Sequence, residues 1–221
     1  RFGRRDSLDF PTKSGVLGLI CCARGAGGAQ TEWLADWADL DMQVEAFVLQ
    51  DAKGQPLPRQ PLLRDFHMVG SGYKRGALSS RNHNHDPWES LLIPLSADKK
   101  NQKVALTYRY YLQDMAFAVA LQAPQGWAED AVAALQAPVW DVYLGRKNCV
   151  PTELIHQGVF DSAEAALTAG RELAAAKRRS LALRVLQGEH EGEVLSLNDV
   201  PLQLGEHKLY RDRRVTVQQV E

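Results

Sequence analysis

Apolar positions in this chain alternate between helical and strand spacing, and the switches place most of its elements. Pro11-Thr12 ahead of an apolar run predicts a helix over Lys13 to Arg24, with Thr12 or Ser14 as its cap. Gly25-Ala26-Gly27-Gly28 suits a left-handed stop. From Thr31, Trp33, Leu34, Trp37 and Leu40 fall on one helical stripe, which assigns both tryptophans to the core. Gln43 to Gln50 alternates as a strand and closes in a turn at Asp51-Ala52-Lys53-Gly54. Val104 to Gln122 predicts one long strand. Its bulky face carries Met115, Phe117, Val119 and Leu121; its small face carries Ala116, Ala118 and Ala120, which a helix can approach. Gly126 to Gln136 reads as a helix ended by Pro138, with Trp127, Ala131, Val132 and Leu135 inward. Ser162 to Arg179 reads as an alanine-rich helix capped by Asp161 or Ser162, with Lys177, Arg178 and Arg179 at its C-terminus. Leu181 to Gln187 and Arg214 to Val220 finish the chain as strands, giving α+β. Leu63 to Leu106 shows no clear period, and a loop that long is functional or disordered.

With 221 residues the chain can bury a substantial core, and 45% hydrophobic with 24% charged content is ordinary for a globular protein. No apolar run approaches the roughly 20 residues that span a bilayer. The first residue is Arg1 rather than Met, so the true start is expected upstream. Cys21, Cys22 and Cys149 form neither a C-x-x-C pair nor an even-numbered framework, which points to packing roles in a reducing cytoplasm. The net charge of −1 excludes a uniformly basic nucleic-acid binder but leaves room for a basic groove. Cations do cluster, at Arg59 to Arg81, Arg146-Lys147, Lys177 to Arg179 and Lys208 to Arg214.

Two stretches combine glycine with a hydroxyl or aromatic group and a cation: Phe10 to Leu19 and Tyr143 to Pro151. In the first, Lys13 and Ser14 resemble the end of a P-loop, but Thr12 and Ser7 stand where its glycines belong, which excludes a nucleotide cradle. What remains is an anion site of helix N-terminal amides beside Lys13, Ser14 and Gly15, or a plain helix start with a solvated lysine. In the second, Gly145 permits close backbone approach, Arg146 and Lys147 supply charge and Tyr143 offers a ring; an ordinary basic turn before a proline fits equally. The aperiodic stretch carries Arg64, His67, Tyr73, Lys74, Arg75, Arg81, His83 and His85. Such interleaving of aromatics and cations suits single-stranded nucleic acid, and a solvated loop is the competing reading. His83-Asn84-His85 lacks carboxylate or thiolate company, so no metal and no cofactor is expected. His67 or His156 could serve as a general base toward a ribose hydroxyl, which keeps a metal-independent endoribonuclease as the alternative.

Four stretches carry a family resemblance: FPTKSGVLGLI at Phe10 to Ile20, LRDFHMV at Leu63 to Val69, YYLQDMAFAVAL at Tyr110 to Leu121 and YLGRKNCVP at Tyr143 to Pro151. The terminal RDRRVTV at Arg211 to Val217 adds a weaker echo. Together they resemble the CasD family of the repeat-associated mysterious protein superfamily, the subunits that hold the crRNA 5′ handle in subtype I-E CRISPR Cascade complexes. The resemblance implies a ferredoxin-like (RRM-like) body with an inserted β-hairpin thumb and a small C-terminal β extension. The body would occupy residues 1–155 and lack its first strand, the thumb would span about 68–106, and the helix and strands of 156–221 would pack on the body. It also implies binding without catalysis, with the crRNA handle, a backbone subunit and the large subunit as partners, target DNA reached indirectly, and no membrane. On this reading Lys13, Ser14, Gly15, Gly145, Arg146 and Lys147 hold handle phosphates. Arg64, His67 and Tyr143 touch bases or sugars, and Tyr73, Lys74 and Arg75 reach the RNA from the thumb.

Overall fold

The computed structural model describes residues 4–69 and 105–220, which form two compact units. The first unit takes chain from 1–7 and 60–113, the second from 8–59 and 114–221. The division therefore falls away from the expected boundary at residue 155.

The smaller unit contains a three-stranded sheet: β1 (Arg4–Arg5), β4 (Ala105–Tyr111) and β3 (Leu63–Val69), in the order β1-β4-β3. β3 and β4 are antiparallel and pair from Leu63↔Tyr111 to Val69↔Ala105, whereas β1 runs parallel to β4. The seven residues Leu63 to Val69, which show no period of their own, are thus a regular strand.

The larger unit is built on a five-stranded antiparallel sheet in the order β5-β2-β6-β8-β7, from β2 (Met42–Leu49), β5 (Ala116–Leu121), β6 (Arg179–Gln187), β7 (Glu193–Gln203) and β8 (Leu209–Gln219). β6 lies in the middle of it, against β2. The C-terminal strands therefore complete the main sheet and do not form an appended extension.

Three helices pack on this sheet, α1 (Lys13–Ala23), α2 (Thr31–Ala38) and α4 (Ala163–Ala176), and α3 (Ala128–Gln136) packs on α1. Thr12 caps α1, its Oγ1 accepting the Gly15 amide at 3.1 Å. The helix ends as a Schellman motif, with Gly25 at φ +66, its amide on the Cys22 carbonyl and the Ala26 amide on Cys21. One face of the sheet buries Met42, Val44, Ala46, Leu183, Val185, Val215 and Val217 with Phe10. A second cluster joins Leu17, Ile20 and Cys21 of α1 to Trp33, Leu34 and Trp37 of α2 and Ala131 of α3. The tryptophan rings pack against each other at 5.2 Å, in the core as expected. Arg24 closes the helical cluster: its guanidinium sits 5.0 Å from the Trp33 and Trp127 rings and pairs with Asp130.

The opposite face belongs to α4. The small side of β5 admits this helix so closely that a β-carbon built on Gly170 would lie 2.6 Å from the Ala118 methyl. Between α4 and the sheet lies Glu45 of β2, buried and paired with Arg171 of α4 at 3.1 Å and Arg184 of β6 at 3.0 Å. Burial pushes its carboxyl pKa up, and the two guanidinium groups oppose that shift.

The single long strand expected over 104–122 is two strands. They break at 112–115, where Asp114 takes φ +52 and its carbonyl accepts from Arg179, and they belong to different units.

Candidate nucleic-acid interface

The two glycine-bearing stretches meet. After Pro138 the chain runs antiparallel along α1 toward its N-terminus. The Val139 amide donates to the Ala23 carbonyl at 2.8 Å, and Val139 packs over Gly25. Farther along, the Cys22 thiol donates to the Asp141 carbonyl at 3.1 Å. At the N-terminal end the Leu144 side chain lies 3.5 Å from where a Gly15 β-carbon would be. A larger residue at position 15 would also crowd Thr12 Oγ1, at 3.1 Å, so glycine here lets the loop and the helix start approach.

Beyond Leu144 the loop turns on itself. Gly145 adopts φ +75, the Arg146 amide donates to Leu144, the Leu144 amide to Cys149, and the Cys149 amide to Arg146. A left-handed residue in so tight a turn explains the glycine. Tyr143 and Arg146 are half-buried and Lys147 is exposed. The tip of the loop thus presents the exposed Lys147, three residues beyond the Leu144 that meets α1.

Lys13 is corrected by the structure. Its side chain is fully buried, 0% exposed, and its ammonium donates to the carbonyls of Ala38 at 2.9 Å and Leu40 at 2.6 Å. It closes the C-terminal end of α2, whose last carbonyls need donors, and cannot reach a phosphate. Burial, with Arg213 close by, lowers its pKa to about 8. The helix start is likewise partly occupied. The Lys13 amide donates to Asp199 Oδ2 at 2.8 Å, and Asp199 is held by Arg213 through Nε at 2.7 Å and Nη2 at 3.0 Å. Asp199 falls where the β7–β8 register shifts between Asn198 and Val200, a bulge that turns its side chain toward α1. The anion expected at this helix terminus is therefore one of the protein's own carboxylates. Ser14 remains half-buried, 3.1 Å from Thr12 Oγ1, and its amide has no acceptor among the described residues.

Arg64 and His67 stand in the smaller unit, three positions apart on β3, and so on opposite faces of the ladder. Arg64 lies over the Tyr108 ring, 5.6 Å from its centroid, while His67 pairs with Asp65. One strand of RNA lying on a single face cannot use both. Tyr73, Lys74 and Arg75, with the expected thumb tip and His83-Asn84-His85, lie outside the described residues. Among those residues, no cluster of metal-ligating side chains forms and no helix is long and apolar enough to cross a membrane. Leu144 and Asp141, which dock the loop on α1, escaped the sequence reading; the signal was present only as an apolar residue beside Gly145.

Comparison with known proteins decides the family. The family model described as CRISPR-associated protein (Cas_Cas5) matches residues 1–218. The chain belongs to the Cas5 family. A solved structure titled "CRISPR RNA-guided surveillance complex" is similar to this Cas5 chain at 29% identity and TM-score 0.65, covering 99% of this chain and 82% of that one. A second, titled "Crystal structure of Cas protein", shares the fold at 22% identity and TM-score 0.56, covering 99% of this chain and 85% of that one. No curated protein sequence matches significantly. The resemblance carried by the four stretches is thereby upheld at family level, and the mixed, mostly antiparallel α+β architecture agrees with it.

Proposed function

We propose that this Cas5 chain is a non-catalytic RNA-binding subunit of a CRISPR Cascade surveillance complex, holding the 5′ handle of the crRNA and touching the adjacent backbone subunit and the large subunit. The observation that carries this reading is the docking of the 139–144 segment along α1, which sets Leu144, next in sequence to the basic tip Gly145-Arg146-Lys147, against Gly15 in the first turn of the helix. The cations of the tip and the Ser14 amide then form one face for a phosphate chain. Family membership and the surveillance-complex title of a similar structure support the assembly, with RNA and other Cascade subunits as partners.

Filter binding of handle RNA to the complex, with Arg146→Glu plus Lys147→Glu, tests the reading. Each lost phosphate contact should reduce the salt slope by about 0.7. Unchanged affinity and slope would remove the loop from the site.

A second reading, a metal-independent endoribonuclease, draws on the Asp65–His67 pair, since a carboxylate-oriented histidine suits a general base. Cleavage of a repeat hairpin in EDTA, abolished by His67→Ala, would establish it; absence of cleavage would end it.

A further inference from the structure

We propose that the β3–β4 ladder carries a base-stacking platform made by Phe66 and Tyr108, with Arg64 at its edge, for unpaired bases of single-stranded RNA. The proposal rests on the RNA-binding reading above and adds Phe66 and Tyr108 to Arg64, which the resemblance alone had set at bases or sugars.

The register places the platform. Phe66 pairs directly with Tyr108 and Arg64 with Tyr110, so Arg64, Phe66, Tyr108 and Leu106 share one face of the ladder. The two rings meet 5.4 Å apart, tilted by 43°, yet Phe66 remains 52% exposed and Tyr108 38%. Leu106 beside them is exposed as well. A cross-strand aromatic pair steadies the ladder, and more than a third of each residue remains open beyond that contact. Leaving both open calls for a ligand that brings its own flat apolar surface.

Charge identifies the ligand. Arg64 is exposed and lies over the Tyr108 ring, and among the described residues no carboxylate pairs with it. The opposite face of the same ladder differs: there Asp65 pairs with His67 and stands across from Arg109. Among the described residues, the ladder therefore has a face whose charges are compensated and an aromatic face whose cation has no carboxylate partner. A protein partner of ordinary apolar character would ask for rings without the bare cation. A nucleotide asks for both, a ring to stack on and a positive charge for its phosphate. Sheet-borne aromatics that stack two or three bases are an established way to hold single-stranded RNA.

The test uses the protein in its assembled complex, RNA labelled with 2-aminopurine at successive positions, filter binding over a salt series and the subunit content of the purified complex. Phe66→Ala with Tyr108→Ala should weaken binding about 10- to 100-fold and leave the salt slope unchanged, because stacking releases no counterions. At one or two positions the 2-aminopurine quenching should vanish. Phe66→Tyr with Tyr108→Phe keeps both rings and should bind as the parent does. Arg64→Ala should lower the slope by about 0.7. If the alanine pair does not fold, Phe66→Leu with Tyr108→Leu retains apolar bulk without a ring and should show the same loss. Binding within twofold of the parent and intact quenching in the ring-less variants would overturn the platform alone. Loss of a protein subunit with RNA retained would overturn it in favour of a protein-docking face. A parent protein that holds no RNA in any assembly would overturn the RNA-binding reading and the platform together.

Discussion

Asp199 Oδ2 accepts the Lys13 backbone amide at 2.8 Å, and through this bond a bulge in an edge strand fixes the start of a helix 186 residues away in sequence. The same carboxylate neutralises Arg213, and both side chains are more than nine-tenths buried. Asp199→Asn leaves that guanidinium buried without its counter-charge. It should cost about 3–5 kcal/mol, seen as a lower urea midpoint with an unchanged m-value.

Lys13 gives the protein an alkaline stability gradient. Its pKa is about 8 in the fold against 10.5 in the unfolded chain, so between those values the unfolded state holds more protons. Stability from this residue is complete above pH 10.5 and is lost as pH falls through about 8. Urea midpoints should rise from pH 8 to pH 9 in the parent and less in Lys13→Met; above pH 9 the buried Cys21 thiol, pushed up to about 11, opposes the rise.

Gly170→Ala sets two effects against each other. Alanine favours a helix interior by about 1 kcal/mol. The new methyl, however, would meet Ala118 at 2.6 Å, and overpacking costs roughly 1–3 kcal/mol. Net destabilisation is expected. Ala118→Gly in the same chain should restore most of it, and a double-mutant cycle would show the coupling.

Gly145→Ala meets no neighbour within 4 Å, so its effect is conformational only. Holding φ +75 with a β-carbon costs roughly 1–2 kcal/mol. Thermal unfolding should be slightly earlier, and handle-RNA affinity should fall as the tip relaxes to another turn.

Features set by neighbouring residues could be read in the chain directly. The Thr12 cap, the Gly25 stop and the Trp33–Trp37 stripe each follow from residues within one or two turns. The two sides of β5 were also legible, and α4 settles on the alanine side as that pattern implied. Lys13 was not, because a lysine at a helix start can face water or fold back onto α2, and only the tertiary position of Ala38 and Leu40 decides. β7 was hidden by Asn198-Asp199, which break the alternation, and by Pro201, which an edge strand tolerates. The break at 112–115 was marked only by Gln113-Asp114 between Leu112 and Met115, and two polar residues do not by themselves end a strand. Of the candidate interface, the two glycine-bearing stretches could be picked out, but neither their contact nor the roles of single cations could, since contact and burial are properties of the whole fold.

The place of β6 governs how the protein can be made. β2 is complete at Leu49, but its partner on that side begins at Arg179. At roughly 5–20 residues per second on the ribosome, a hydrophobic strand spends several seconds with one flank unmated. Products that terminate before β6 would keep that flank permanently open, inviting self-association and clearance by proteases, so shortening this chain from its carboxyl end should yield inclusion bodies and not a smaller working subunit.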